Sequence, residues 1–390
     1  MHALPYWRLS GYYFFYFAFI GAFSPYFGLF LQARGFSAWE IGLLMSQMQL
    51  MRLLGPNVWG WLADRGQRRV PIVQLAAVVS LIGFSAFFWV QRLPGYLAAM
   101  ALMAFFWSAA LPLVETLCFD HLREGRERYS RIRVWGSIGF IVAVLGTGAL
   151  LDHLPMDAVL WVCWLLLFGI LGLACMLPEA ERPAHGAERA NLRDILRQPA
   201  VRALLGGGVA MAAAHGAFYV FYSIHLAAHG YNTIEIGALW SLGVIAEILV
   251  FVYMSRLLLR FSLRDLLLWS FAAAVLRFVL TGWWVDVLLI AVFTQLLHGL
   301  TFGAHHAASL SVVNQCFPGR AQSRGQALYS SLGFGAGGLL GTFVSGWVWE
   351  HYGAGWTFTL SSLFALAGWL AVLAGLKGGG LSSIAARPVR

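Results

Sequence analysis

Apolar residues in this chain gather in long runs, and the breaks between runs are short, polar and mostly basic. A helix rises about 1.5 Å per residue, so about 20 apolar residues cross a bilayer. By that length the pattern predicts twelve spans, at 11–33, 39–63, 70–90, 94–119, 131–152, 158–177, 201–228, 234–258, 264–282, 284–316, 323–349 and 355–376. The tenth run is long for one crossing, so its end is predicted to unwind or leave the membrane near Cys316-Phe317-Pro318-Gly319. One long polar segment, Pro178–Pro199, interrupts the series in its middle. The pattern therefore predicts an all-α membrane protein with two six-helix bundles, 1–177 and 201–390, joined by a cytoplasmic linker at 178–200.

The halves repeat at an offset of 195 residues. Gly21-Ala22-Phe23 matches Gly216-Ala217-Phe218, Gly35 matches Gly230, and Glu40-Ile41-Gly42 matches Glu235-Ile236-Gly237. In the same frame Arg52 answers to Glu247, so equivalent helices carry opposite charges. A six-span repeat implies two pseudo-symmetric bundles, and a site at a repeat interface can open alternately to either side.

Composition agrees and narrows the class. Hydrophobic residues make up 60% and charged residues 11%, against about 25% charged in a soluble domain. The net charge of +9 does not point to nucleic acid, because the basic residues sit in the short loops. With the N-terminus inside, cytoplasmic segments hold 22 of the 26 basic residues. Arg34 and Arg92 fall outside, and Arg52 and Arg277 fall within spans. Positive loops stay inside, which predicts cytoplasmic termini in a bacterial-type inner (plasma) membrane. Cys118, Cys163, Cys175 and Cys316 lack paired or metal-ligand spacing and read as inert core thiols. The Gly333–Gly338 run resembles a dinucleotide fingerprint, but it lies within a span and follows no strand.

Ionisable residues inside spans are the candidates for chemistry. Glu247 lies 9 residues before Arg256, near mid-membrane, where it can carry a proton or form a static pair. Arg52 lies 12 residues before Asp64. It keeps its proton, so it must meet an anion, either a carboxylate of the protein or one of a substrate. Glu115 and Arg133 can approach across a helical hairpin and are expected to pair, as a substrate or gating element or as a lock between helices. Arg277 and His298 fall in the ninth and tenth spans, where His298 suits proton handling, substrate hydrogen bonding or a satisfied packing role. His305 and His306 follow, but no carboxylate or Cys lies at ligand spacing, so no metal and no cofactor is expected. Between spans two and three, Asp64, Arg65 and Arg68 read as a conformational latch, the Asp facing a helix N-terminus and the arginines gripping acidic groups.

Twelve spans in two halves, with Gly60-x-x-x-Asp64-Arg65 after the second, resemble the major facilitator superfamily. Within it the chain is similar to the phenylpropionate permease branch, related to lactose-permease-type proton symporters. The matching residues are Arg52-x-Leu54-Gly55, Pro112-Leu113 with Glu115, Arg133-x-Trp135-Gly136-Ser137, Leu239–Val244 with Ala246-Glu247, Arg277, and Leu297-His298-x-x-Thr301-Phe302 with His306. In the lactose-permease relatives a helix-4 carboxylate and an Arg 18 residues later contact substrate, as Glu115 and Arg133 would here. There the Arg of helix 9 and the His of helix 10 belong to the proton-coupling cluster, matching Arg277 and His298. Those relatives have a second acid in helix 10 where this chain has Thr301, so Glu247 becomes the expected proton carrier. Thr301 and His306 join Arg52, Glu115 and Arg133 as expected substrate contacts.

The resemblance implies proton-gradient-driven uptake of a small organic carboxylate, aromatic by the family's name, by alternating access in a monomer whose partners are substrate, protons and lipid. A proton-driven exporter of amphipathic compounds and a sugar or nucleoside proton symporter are the alternatives. An intramembrane enzyme built on His298, His305 or His306 lacks a paired nucleophile and leaves the repeat unexplained.

Overall fold

The computed structural model describes residues 4–66, 68–122, 128–180, 192–317 and 321–376, except the side chains of Asp64, Leu192 and Ser323. Regular structure among the described residues is helical. In order it comprises α1 (Tyr6–Ala33), α2 (Ala38–Gly66), α3 (Val70–Ser85), α4 (Leu93–Leu122), α5 (Tyr129–Leu151) and α6 (Ala158–Met176). A short helix, Leu192–Leu196, precedes α7, which is made of Pro199–Ala214 and Gly216–Ala228 with His215 at the break. Then come α8 (Thr233–Arg260) and α9 (Leu263–Trp284). α10 runs through Leu288–Leu296, a π-helical segment Gly299–Ala304, and His305–Cys316. α11 starts as Gln322–Ser330, passes through a second π-helical segment, Ser331–Gly337, and enters the stretch Gly338–Gly375. That stretch breaks at Gly353, which stands at φ 81°, and its remainder is α12.

Among the described residues, ten helical stretches are long and apolar enough to cross a membrane, and the last of them, Arg324–Gly375, contains both α11 and α12. α2 is the twelfth. It is 29 residues long, and Glu40, Arg52, Asp64 and Arg65 make it less apolar than the others. As predicted, α10 ends at Cys316, and Phe317 leaves the helical conformation. Residues 318–320 of the predicted break lie outside the described ones, and a second irregularity, not predicted, sits at the π-helical segment Gly299–Ala304. Of the predicted linker, residues 181–191 also lie outside the described ones.

The 195-residue repeat is a repeat of helix-end signals. After α1, Gly35 adopts φ 85°, and after α7, Gly230 adopts φ 88°, a left-handed conformation that glycine reaches without Cβ strain. At Gly35 the N–H of Phe36 reaches Leu31 O and that of Gly35 reaches Gln32 O, closing the helix end. Two residues on, Ser37 and Asn232 begin reciprocal caps. Glu40 accepts from the Ser37 N–H at 2.9 Å, and Glu235 accepts from the Asn232 N–H at 2.9 Å. The return bonds run from Glu40 N–H to Ser37 Oγ and from Glu235 N–H to Asn232 Oδ1. The repeated glutamates are thus held as caps.

The chain folds as two compact units, Met1–His185 with Tyr231–Ser241, and Gly186–Gly230 with Leu242–Arg390. In the first, α1 packs on α5 and α6, while α4 packs on α2 and α3. The first turns of α8 belong to this unit. There Thr233 Oγ1 lies 2.7 Å from Gly148 O and 2.5 Å from Asp152 Oδ1, and the Thr233 N–H donates to the same carboxylate at 3.0 Å. The Tyr26 hydroxyl lies between Val144 O at 2.8 Å and Thr233 O at 3.0 Å. In the second unit, α7 and α9 pack on the Gly338–Gly375 stretch.

Candidate functional site

Two clusters of polar side chains are built into the helices, one in each unit. In the first unit, α1 presents Tyr13, Tyr16 and Phe17, which the spacing i, i+3, i+4 places on one face. The Arg52 guanidinium lies 5.9 Å from the Trp107 ring, and its Nη1 is 3.5 Å from Gln49 Oε1. Tyr16 stacks on Trp107 with centroids 4.6 Å apart and meets Phe17 edge-on at 5.4 Å. Arg133 sits over Phe17 at 4.0 Å and 5.9 Å from the Tyr13 ring. A strip of three rings therefore runs between two arginines.

The expected Glu115–Arg133 ion pair does not form. The Tyr129 hydroxyl, one turn before Arg133 on α5, donates to Glu115 Oε1 at 3.1 Å and lies 3.4 Å from the Tyr13 hydroxyl. Arg133 turns toward α1 instead, and Gly136 leaves the room. A Cβ there would stand 2.7 Å from Phe17 and 2.9 Å from Arg133 Nη1. Tyr129 was not legible as a site residue, because nothing in its local pattern marks which neighbour its hydroxyl meets.

The second cluster centres on Arg277, whose side chain is 0% exposed. Its Nε–H donates to Thr294 O at 2.9 Å, and Nη1 lies 3.1 Å from Thr301 Oγ1 and 3.3 Å from His215 Nε2. The guanidinium also covers the Phe218 ring at 4.3 Å. His215 Nδ1 lies 2.9 Å from Met211 O, which can only accept, so Nδ1 carries the proton. Nε2 is then an acceptor for Arg277, and the ring is a neutral imidazole. Thr301 is thus a hydrogen-bond partner of Arg277 within the second unit. His298 Nε2 is 4.0 Å from Glu247 Oε2, and the His298 ring stacks on Phe302 at 5.5 Å. His306 also stacks with Phe302, at 6.0 Å. The π-helical segment of α10 spaces these groups. It begins directly after His298, contains Thr301 and ends before His305, and such segments concentrate at functional sites. His215 emerges as a site residue only from the structure, because a lone His in an apolar run carries no signal of its partners.

Of the latch residues, Arg65 lies over Trp61 at 5.5 Å and Arg68 is exposed, while the Asp64 side chain lies outside the described ones. The arginine that grips an acid is Arg69, ion-paired with Asp120. The Glu179 carboxylate accepts from the N–H groups of Arg69 and Val70 at 3.0–3.1 Å, capping α3 from 110 residues away. Cys118, Cys163 and Cys316 are buried, whereas Cys175 is exposed. Among the described residues, no three His, Cys, Asp or Glu side chains converge as metal ligands.

Twelve membrane-length helices and two intramembrane charge clusters define a polytopic membrane protein of the transporter type. The MFS_1 like family profile matches residues 6–360, and the chain belongs to that family. The probable 3-phenylpropionic acid transporter of Escherichia coli (strain K12) is 28% identical over 372 residues, which span 92% of this chain and 96% of that protein. The maltose permease of Geobacillus stearothermophilus is 27% identical over 369 residues, 93% of this chain and 92% of that one. A crystal structure of a mutant of the nucleoside transporter NupG aligns with TM-score 0.84 at 17% identity, over 95% of this chain and 99% of that one, a likeness of fold.

Proposed function

We propose that this protein is a proton-coupled importer of a small aryl carboxylate, working by alternating access in the inner membrane with both termini cytoplasmic. The observation that carries the substrate is the ring strip of the first unit. Arg52 and Arg133 each meet aromatic rings, and neither has a carboxylate within ion-pair distance among the described residues. A guanidinium over a ring keeps its full charge and its hydrogen-bond fork for a carboxylate. The rings between them offer faces to an aromatic body. The relative named as a probable 3-phenylpropionic acid transporter accords with this chemistry.

The proton side is assigned to the second unit. Glu247 takes the proton, His298 at 4.0 Å is its exchange partner, and Arg277, held by neutral groups, supplies a fixed positive field. Asp64, Arg65 and Arg68 retain a gating role in this reading, with Arg69 and Asp120 as the ion pair of the same inner segment.

The test is uptake into proteoliposomes. With the outside acidic, labelled 3-phenylpropionate is expected to accumulate above its equilibrium level, a protonophore to abolish the accumulation, and Arg52→Gln to raise KM about tenfold or more. Accumulation of maltose or a nucleoside in its place, or loss of the carboxylate from the lumen under the same gradient, would replace this reading with sugar or nucleoside symport, or with export.

A further inference from the structure

We infer that Tyr129 is a positioning residue that sets the preference for anionic substrate, by holding Glu115 away from Arg133. The inference rests on the carboxylate reading above and adds to it a residue and a way of acting.

Sequence alone brings a carboxylate and a guanidinium to the same hairpin of α4 and α5. Left to themselves, such groups pair, and a paired Arg133 would have its fork occupied before substrate arrived. The structure interposes a hydroxyl. Tyr129 donates to Glu115 Oε1 at 3.1 Å, and its ring is pinned edge-on by Tyr13 at 6.2 Å and covered by Phe119 at 4.6 Å. The Tyr13 hydroxyl, at 3.4 Å, completes a short chain from α1 through α5 to α4. Arg133 lies on Phe17 at 4.0 Å, in the space that Gly136 leaves open. Tyr129 and Arg133 are four residues apart on one helix, so the same face delivers a donor to the acid and carries the cation past it. Two devices therefore keep the pair apart: a hydrogen bond that satisfies the acid and a ring that receives the cation. Removing the hydroxyl frees Glu115 to move onto Arg133, and an incoming carboxylate then has to displace it.

The experiment measures binding of 3-phenylpropionate, which carries no hydroxyl group, to the purified full-length protein by calorimetry. Wild type, Tyr129→Phe, Glu115→Gln, Arg133→Gln and the double variant Tyr129→Phe/Glu115→Gln are compared. Tyr129→Phe is expected to weaken binding about tenfold, and the double variant to recover affinity to within about threefold of wild type. A packing defect caused by loss of the hydroxyl would not be rescued by changing the acid, so recovery separates positioning from structure. Arg133→Gln is expected to bind at least as poorly as Tyr129→Phe. Undiminished affinity in Tyr129→Phe, or an unrescued double variant, would overturn the proposal and leave the carboxylate reading standing. Undiminished affinity in Arg133→Gln would overturn it as well, leaving Arg52 as the substrate's cation. If wild type bound no aryl carboxylate, both the reading and the proposal would fall.

Discussion

Arg133 and Arg277 sit on phenylalanine rings at nearly the same distance, 4.0 Å and 4.3 Å, and yet are held in opposite ways. Arg277 is fully buried, and hydrogen bonds to Thr294, Thr301 and His215 add to its ring contact. Arg133 is only partly buried, and its contacts among the described residues are with rings. A ring contributes about 0.5–2 kcal/mol to a cation, whereas hydrogen bonds involving a charged group contribute about 1.5–3 kcal/mol each. Arg277 is therefore fixed as part of the scaffold. Arg133 is stored on a surface it can leave, and Arg52 beside Trp107 shares that condition. The contrast sets a fully buried, hydrogen-bonded charge in the unit that carries Glu247 against partly buried, ring-held cations in the unit that carries the ring strip.

The sharpest way to break this division is Glu247→Gln. It is expected to abolish accumulation driven by a pH gradient while exchange of substrate across the membrane persists, both read in proteoliposomes. Gradient-driven accumulation in the variant would move the proton to another group, with Glu115 the next to test. A second effect separates the two arginines. Arg277→Met removes the guanidinium's hydrogen bonds to Thr294 O, Thr301 Oγ1 and His215 Nε2 from a buried site, at a cost of about 1–3 kcal/mol, so the protein should unfold at a clearly lower temperature in detergent. Arg133→Gln should leave the unfolding temperature nearly unchanged and act on affinity. If the two variants lost stability equally, the distinction between scaffold and stored cation would fail. A smaller effect belongs to the strip itself. Trp107→Leu removes the ring beneath Arg52 and the face stacked on Tyr16, an expected loss of about 1 kcal/mol, or about fivefold in affinity. Aryl carboxylates should lose this affinity and short aliphatic ones should not.

Much of this was legible in the chain, and the part that was not has a common cause. The runs of apolar residues gave the twelve helices because a bilayer fixes their length. Glu247, Arg277 and His298 stood out because charge inside such runs is expensive. The repeat was visible at Glu40 and Glu235 as matching positions, and its meaning as paired helix ends and caps came from the structure. The caps at Ser37 and Asn232 follow the S/T/N-x-x-E pattern and were open to the same inspection. What escaped was every partner distant in sequence. Tyr129 meets Glu115, Arg69 meets Asp120, and Glu179 caps α3, each through tertiary packing that no local pattern encodes. The π-helical turn of α10 escaped for a related reason. The run at 284–316 reads as one continuous helix that stops near Cys316, and nothing in its local pattern marks the π-helical segment that follows His298 and contains Thr301.

The smallest expected effect tests the contact that ties the first turns of α8 to α5. Asp152 lies just beyond α5 and is exposed, and the Thr233 hydroxyl and N–H hold its carboxyl below the ordinary Asp value of 3.8. A group whose folded pKa is depressed contributes stability above its unfolded pKa and loses that contribution as pH falls through the folded value. The contact should therefore stay intact across the neutral and mildly acidic range and loosen only below about pH 3.8. An inward proton gradient of ordinary size would not open it, so it cannot itself be the sensor of that gradient. Hydrogen exchange at residues 231–241 reads this directly. Protection in wild type should be flat from neutral pH down to the ordinary Asp range, after correction for intrinsic exchange. Thr233→Val keeps the backbone N–H donor but loses the hydroxyl, so it should lower protection at every pH in that range and shrink the acid-dependent step beneath it. A step in wild type near pH 6 would instead assign proton sensing to this contact and take it away from Glu247.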